Sequence, residues 1–252
     1  MKRLAFLLSL LIPCALWPRE LTIYVTSNLA GRFPLNDKHD ENHLLRIGTY
    51  LQNARAKNAA SYHLDLGNAY YPGRLSRFSF GSLTADYLQA LKLDAGLVSS
   101  ADLNIGAESL DYIRRARGIR LLSANLYRDK APFFEPYVLL KHAGVRVAVV
   151  GITSTKSIVG YAEAQLLDLR LAAAGEALKA TLVRAAGEKP DLAIALTGST
   201  PEEALSLLSQ NPQLDMILCG SDSPATIGKD PVSAIELPDG RKVVVLPAGT
   251  SL

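Results

Sequence analysis

Leu21-Thr-Ile-Tyr-Val-Thr26 running into Ser27-Asn28-Leu29-Ala30-Gly31-Arg32 is a short β run that stops in a polar, glycine-marked loop. The same pattern recurs down the chain. It appears at Asp65-Leu66-Gly67-Asn68, at Ser99-Ser100-Ala101-Asp102-Leu103-Asn104-Ile105-Gly106, at Leu196-Thr197-Gly198 and at Cys219-Gly220-Ser221-Asp222-Ser223. Each loop closes an apolar run, and in strand–helix folds the loops at the carboxyl ends of strands collect along one edge. Spacing alone therefore brings these loops together as one site.

Between the loops, apolar residues alternate between the periods of strand and helix. Tyr62–Leu66 reads as a strand, preceded by a helix with Leu44, Ile47, Leu51 and Ala54 on one face. A second helix covers Gly81 to Leu91. A strand at Ala95–Ser99, a helix at Glu108–Arg117 and a strand at Ile119–Ala124 follow. Tyr137–Lys141 and Val145–Ile152 form a hairpin about His142-Ala143-Gly144, which interrupts the alternation. Leu169–Ala186 reads as one Ala/Leu-rich helix ended by Gly187 and Pro190. Leu192–Leu196, a helix from Pro201, and Met216–Cys219 complete the alternation, and Ser233–Leu237 pairs with Lys242–Leu246 across Pro238-Asp239-Gly240. Alternation with hairpins at the middle and end predicts a mixed α/β sheet system with helices outside.

Composition supports a globular chain and excludes several classes. With 252 residues, 48% of them hydrophobic, a sizeable core is available. The 27 Lys and Arg stand against 24 Asp and Glu with no basic cluster, so no nucleic-acid partner is expected. Met1-Lys-Arg3 followed by apolar Leu4–Ile12 is too short to span a bilayer and reads as a secretory signal over residues 1–20. The mature chain is then expected in the periplasm or on the outer surface of a bacterial membrane. Cys14, directly after the apolar run, is a candidate for lipidation and membrane anchoring. Within residues 21–252 Cys219 stands alone, so no disulfide framework exists there.

In order, spacing and flanking pattern the five loops resemble the metal-binding loops of the metallophosphoesterase domain of periplasmic 5'-nucleotidases and UDP-sugar hydrolases. That family writes them D-x-H, G-D, G-N-H-(E/D), H and G-H-x-H. Further segments agree: Leu122-Ser-Ala-Asn-Leu126, Gly144-Val-Arg-Val-Ala-Val-Val-Gly-Ile-Thr153, Leu214-Asp-Met-Ile-Leu-Cys-Gly220 and Val245-Leu-Pro-Ala-Gly-Thr-Ser251. The resemblance implies a four-layer α-β-β-α sandwich of the metallo-dependent phosphatase type over residues 21–252. It also implies a missing C-terminal nucleotidase domain and, because the pattern stops inside its last motif, a missing last strand or strands.

The resemblance further implies two divalent metal ions, but the residues that would hold them are replaced. The first Asp and His match Asn28 and Ala30, and the bridging Asp matches Asn68. The metal-binding Asn and the assisting His match Ser100 and Ala101, and the remaining His match Gly198, Ser221 and Ser223. Two divalent cations roughly 4 Å apart repel strongly unless an anionic bridge offsets them. Asn and Ser oxygens are neutral, and Ala30, Ala101 and Gly198 carry no donor. No cofactor is therefore expected, and binding or assembly is favoured over dinuclear phosphoester hydrolysis. Two alternatives remain. A rearranged site could use Arg32, Arg74, Asp102 and Asn125 to hold an anionic ligand, or His39 and His43 to hold a metal. Redox chemistry would require Cys219 or a residue beyond the chain end.

Overall fold

Parallel neighbours in a sheet need crossovers, and the first part of the chain supplies them with helices. The computed structural model describes residues 21–34, 43–142, 144–154, 168–221 and 233–247. Strands β1 (Thr22–Thr26), β2 (Ser61–Asp65), β3 (Ala95–Leu97) and β4 (Leu121–Leu122) pair in parallel in the order β1-β2-β3-β4. Helix α1 (His43–Lys57) lies between the first two strands, and α2 (Arg74–Phe78) and α3 (Ser82–Ala90) between the next. Helix α4 (Ala107–Arg117) leads to β4 and ends at Gly118, whose φ of +64° suits a residue without Cβ.

A second system follows. Strands β5 (Leu126–Arg128) and β6 (Ala131–Pro132) pair with β9 (Leu169–Leu171) in a small antiparallel sheet. Strands β7 (Tyr137–His142), β8 (Val145–Ile152), β10 (Leu192–Thr197), β11 (Met216–Ser221), β12 (Ser233–Glu236) and β13 (Lys242–Pro247) build the larger sheet, ordered β12-β13-β11-β10-β8-β7. Its interior is parallel; the predicted hairpins form its two antiparallel margins. Helices α5 (Ala174–Ala186) and α6 (Pro201–Gln210) precede β10 and β11. Thr200 caps α6 with a capping box to Glu203, and Pro201 occupies its first turn.

Strand periodicity sorts the interior into three apolar layers. Val147 and Val149 of β8 join Ile194, Leu196 and Leu218 against Tyr62, Leu64 and Leu97 of the first sheet. Val150 and Ile152 turn the other way, onto Leu178 and Leu182 of α5 and Leu207 and Leu208 of α6. A third cluster joins the first sheet to α3 and α4 through Leu88, Leu110 and Ile113. Helices, sheet, sheet and helices thus follow one another. The approach of the sheets is close: a Cβ on Gly151 would lie 2.5 Å from the Leu122 carbonyl oxygen.

Two expectations are corrected. Leu169–Ala186 is not a single helix, because Leu169–Leu171 pairs with Leu126–Arg128 and α5 begins only at Ala174. Long-range ladder pairing overrides helix propensity there. The strand expected over Ile119–Ala124 shortens to Leu121–Leu122, since Ser123 and Ala124 bond instead to the carbonyls of Glu135 and Gly151. Helix α2 and the β5-β6-β9 sheet carried no sequence signal. The signal segment with Cys14 lies outside the described residues. Among the described residues no helix is long and apolar enough to cross a membrane.

Candidate functional site

The loops after β1, β2 and β3 meet and bond to one another. Asn28 donates its N–H to the Gly67 carbonyl (3.1 Å), and Ala30 donates to the Asn68 carbonyl (2.8 Å). To make these contacts Asn28, Ala30 and Asn68 all adopt left-handed backbone, with φ of 54°, 53° and 53°. Asn tolerates that region; Ala30 does so at a cost of roughly 1 kcal/mol. The side chains also meet: Asn68 Nδ2 donates to Asn28 Oδ1. Two residues predicted from sequence to lie at one site, forty positions apart, are therefore in direct contact.

Asp102 holds this arrangement from beneath. It is 1% exposed, and its carboxylate accepts from Tyr70 N–H (2.8 Å), Asn68 N–H (2.9 Å), Ser99 Oγ (2.7 Å) and Ser99 N–H (3.2 Å). Burial raises its pKa, and those hydrogen bonds act in the opposite direction. Asn125 is likewise fully buried: Nδ2 donates to the Thr153 carbonyl (2.8 Å) and Oδ1 accepts from Thr153 N–H (2.9 Å). Both residues are occupied in joining loops, which leaves little of either for a ligand. Arg32 and Arg74 are exposed. Arg77, one turn on from Arg74, lies over the Tyr71 ring at 5.7 Å.

The other predicted positions divide. Ser100 is 3% exposed, and the Ala101 carbonyl accepts from Asn104 N–H (3.1 Å) and Nδ2 (2.9 Å). Gly198 has room for a side chain: an added Cβ would meet only Ser154 Cβ, at 3.9 Å. Steric exclusion therefore does not explain the glycine there. Ser221 ends β11, and Ser223 lies outside the described residues. His43 is the first residue of α1, and His39 lies outside the described residues.

Beneath the loops Asp65, which opens the second of them, joins a polar group with Thr26 and His63, two residues that the loop pattern did not single out. Thr26 Oγ1 bonds to Asp65 Oδ2 (2.6 Å) and lies 3.0 Å from Nε2 of the His63 ring, so one hydroxyl links the two side chains. Asp65 also accepts from Gly67 N–H (2.8 Å). Burial raises Asp65 to about 7, despite the hydrogen bonds from Thr26 and Gly67, while burial and the charge of Arg55 lower His63 to about 4. Period-two spacing of His63 and Asp65 along a buried strand was the available signal.

The residues present do not fit a dinuclear metal centre. The carboxamides of Asn28 and Asn68 are bonded to each other, and neutral oxygens supply no anionic bridge. One buried acceptor, Asn68 Oδ1, has no partner among the described residues. Those residues also contain no group of three His, Cys, Asp or Glu arranged to hold a metal. Cys219 is fully buried, with its Sγ donating to the Ser199 carbonyl (3.0 Å).

No family model and no curated protein matches the sequence. Solved structures do. The 5'-nucleotidase precursor of Thermus thermophilus is similar with a TM-score of 0.71 at 16% identity, over 90% of this chain and 48% of that one. The NAD nucleotidase of Haemophilus influenzae gives 0.69 at 17%, over 90% and 44%. The calcineurin-like phosphoesterase YfkN of Bacillus subtilis gives 0.72 at 18%, over 89% and 80%. The chain thus spans about half the length of the two nucleotidases it matches. The fold is that of the 5'-nucleotidase metallophosphoesterase domain, as the loop order led us to expect.

Proposed function

We propose that this chain is an exported cell-envelope protein that uses a metallophosphatase fold for binding or assembly and does not carry out dinuclear phosphoester hydrolysis. The observation that carries this reading is the carboxamide pair, Asn68 Nδ2 donating to Asn28 Oδ1. Neutral groups satisfy each other where the related fold needs carboxylate charge to assemble two cations and lower the pKa of a bridging water. Asn68 Oδ1 remains as a buried acceptor that a ligand N–H or O–H could satisfy. Arg32 and Arg74 suit an anionic group on such a ligand.

Metal analysis of the purified chain, combined with a nucleotide and phosphomonoester substrate panel, tests the reading. The expected result is substoichiometric transition metal and no turnover. Stoichiometric metal with turnover abolished by a chelator would support the rearranged hydrolase and end this proposal. Burial of Cys219 disfavours the redox alternative; its resistance to alkylation in the folded chain is the matching check. Export and anchoring are tested by fractionating cells that express the full chain or Cys14→Ser, with fatty-acid labelling expected only in the former.

A further inference from the structure

The two faces of β2 carry different chemistry. Tyr62, Leu64 and Leu66 point into the layer between the sheets, so strand alternation turns His63 and Asp65 toward the helices. Parallel register sets Thr26 of β1 beside Asp65 and Tyr24 beside His63. Thr26, His63 and Asp65 are all buried, at 7%, 0% and 2% exposure. One hydroxyl joins them: Thr26 Oγ1 lies 2.6 Å from Asp65 Oδ2 and 3.0 Å from His63 Nε2. A hydroxyl has a single proton to donate, so it serves the carboxyl or the imidazole and never both. The other ring nitrogen, His63 Nδ1, is buried with no hydrogen-bond partner among the described residues.

The direction of these bonds follows from the proton on Asp65. A protonated carboxyl donates to Thr26 Oγ1, the hydroxyl donates to Nε2, and the ring proton sits on Nδ1. A carboxylate takes the hydroxyl proton for itself, and only a protonated Nε2 then bonds to Oγ1. The neighbours let the carboxyl titrate while the ring stays neutral. Burial raises Asp65 to about 7, and Asp102 from the loop after β3 adds to the rise. Burial and Arg55 of α1 lower His63 to about 4. Arg55 is itself paired with Asp94 (3.0 Å), whose carboxylate accepts the His63 N–H (2.8 Å). Tyr70 and Tyr87 also feel the Asp65 charge, and burial pushes both phenols up, so they stay neutral.

We infer that Thr26 is a two-way hydrogen-bond switch that reads the protonation of Asp65 and sets the tautomer of His63. As pH rises, the carboxyl proton passes to Thr26 Oγ1, the hydroxyl proton passes to His63 Nε2, and Nδ1 gives up its own. The renewed hydroxyl donates back to Asp65 Oδ2, and Nε2–H donates to Oγ1. One proton leaves in all, and the ring is neutral at both ends. The output is local to the loop joint. Asp65 Oδ1 accepts Gly67 N–H (2.8 Å), and the Gly67 carbonyl accepts Asn28 N–H (3.1 Å), so ionisation makes the first of these bonds charge-assisted. Burying that charge still costs the fold as a whole. The switch needs no metal or ligand in the loops, so it stands or falls apart from the binding reading.

NMR of the full chain, with isotope labels on histidine nitrogens and aspartate carboxyl carbons, tests the switch. Long-range proton–nitrogen spectra give Nδ1–H, Nε2–H and imidazolium rings three distinct patterns, and signals lost in His63→Gln identify the residue. Between about pH 5 and about pH 9, His63 is expected to pass from Nδ1–H to Nε2–H without an imidazolium pattern. The Asp65 carboxyl carbon should titrate with the same midpoint, and the Gly67 amide proton should move downfield with it. Asp65→Asn and Thr26→Val should each hold one tautomer throughout, and Thr26→Ser should restore the change. The wild-type spectra decide the matter even where a variant fails to fold. A single tautomer at every pH, or an imidazolium pattern at the Asp65 midpoint, overturns the inference. So does an unchanged tautomer switch in folded Thr26→Val.

Discussion

Strand β1 ends in one kind of surface and is bordered by another. At its carboxyl end, Asn28 and Ala30 are bonded to Gly67 and Asn68, and Asp102 fixes those residues from below. Along its outer edge runs a groove between Tyr24 and α1, lined by Arg46 and Lys57. Among the described residues the loops at the strand end bond to one another, while the outer side of β1 has no strand beside it. The loop cluster thus behaves as a structural joint.

The comparison breaks first at Asp102. Asp102→Ala strands the buried N–H groups of Asn68 and Tyr70, and urea unfolding should report a loss of about 3–5 kcal/mol. A loss under about 1 kcal/mol would mean that the loops are held by something else.

Next comes the pH profile of the joint. Asp65, raised to about 7 from its ordinary 3.8, keeps its proton in the folded chain while the unfolded chain ionises. Stability from this group is therefore present below about pH 4 and lost as pH rises toward 7. His63, lowered to about 4 from 6.5, acts the other way: the unfolded chain takes the proton first, so stability falls as pH drops from 6.5 to 4. The two slopes oppose each other, and thermal melts of the wild type should be nearly flat across that window. Asp65→Asn removes one slope, so its Tm should climb between pH 4 and 6.5; a flat profile in that variant would contradict the assignment.

Asn68→Asp sharpens the comparison further. A carboxylate loses the donor to Asn28 Oδ1 and repels that oxygen, with an expected cost of about 1–3 kcal/mol. Millimolar Mn²⁺ should not recover it, and recovery in a thermal melt would show that the remaining loop donors still assemble a metal site. The smallest effect belongs to the groove beside α1. Arg46→Glu with Lys57→Glu should leave folding stability within about 0.5 kcal/mol, as exposed residues away from any network do. A larger loss would indicate that these cations hold the fold together.

Much of this was legible from residues. The β–loop punctuation at Asn28, Asn68 and Ser100 located the loop cluster, because strand ends in such folds converge whatever residues they carry. The terminal hairpin was readable at Pro238-Asp239-Gly240, and the absence of donors at Ala30, Ala101 and Gly198 needs no coordinates. The Leu169–Leu171 strand was not readable, since its partner Leu126–Arg128 is distant in sequence and its composition continues smoothly into α5. Nor was the role of Asn125. A carboxamide beside a loop looks like a ligand-binding group until its hydrogen bonds are counted, and here they go to the neighbouring Thr153 backbone.

The sequence by itself determined the alternation, the position of the loops and the replacement of the expected metal ligands at Asn28, Ala30, Asn68, Ser100, Ala101, Gly198, Ser221 and Ser223, because these depend on local period and residue chemistry. Only the tertiary structure decided that Asn28 and Asn68 bond to each other and that Asp65 and His63 share one threonine hydroxyl. Those outcomes depend on which strands lie side by side. Strand order is set by long-range burial, and no local pattern encodes it.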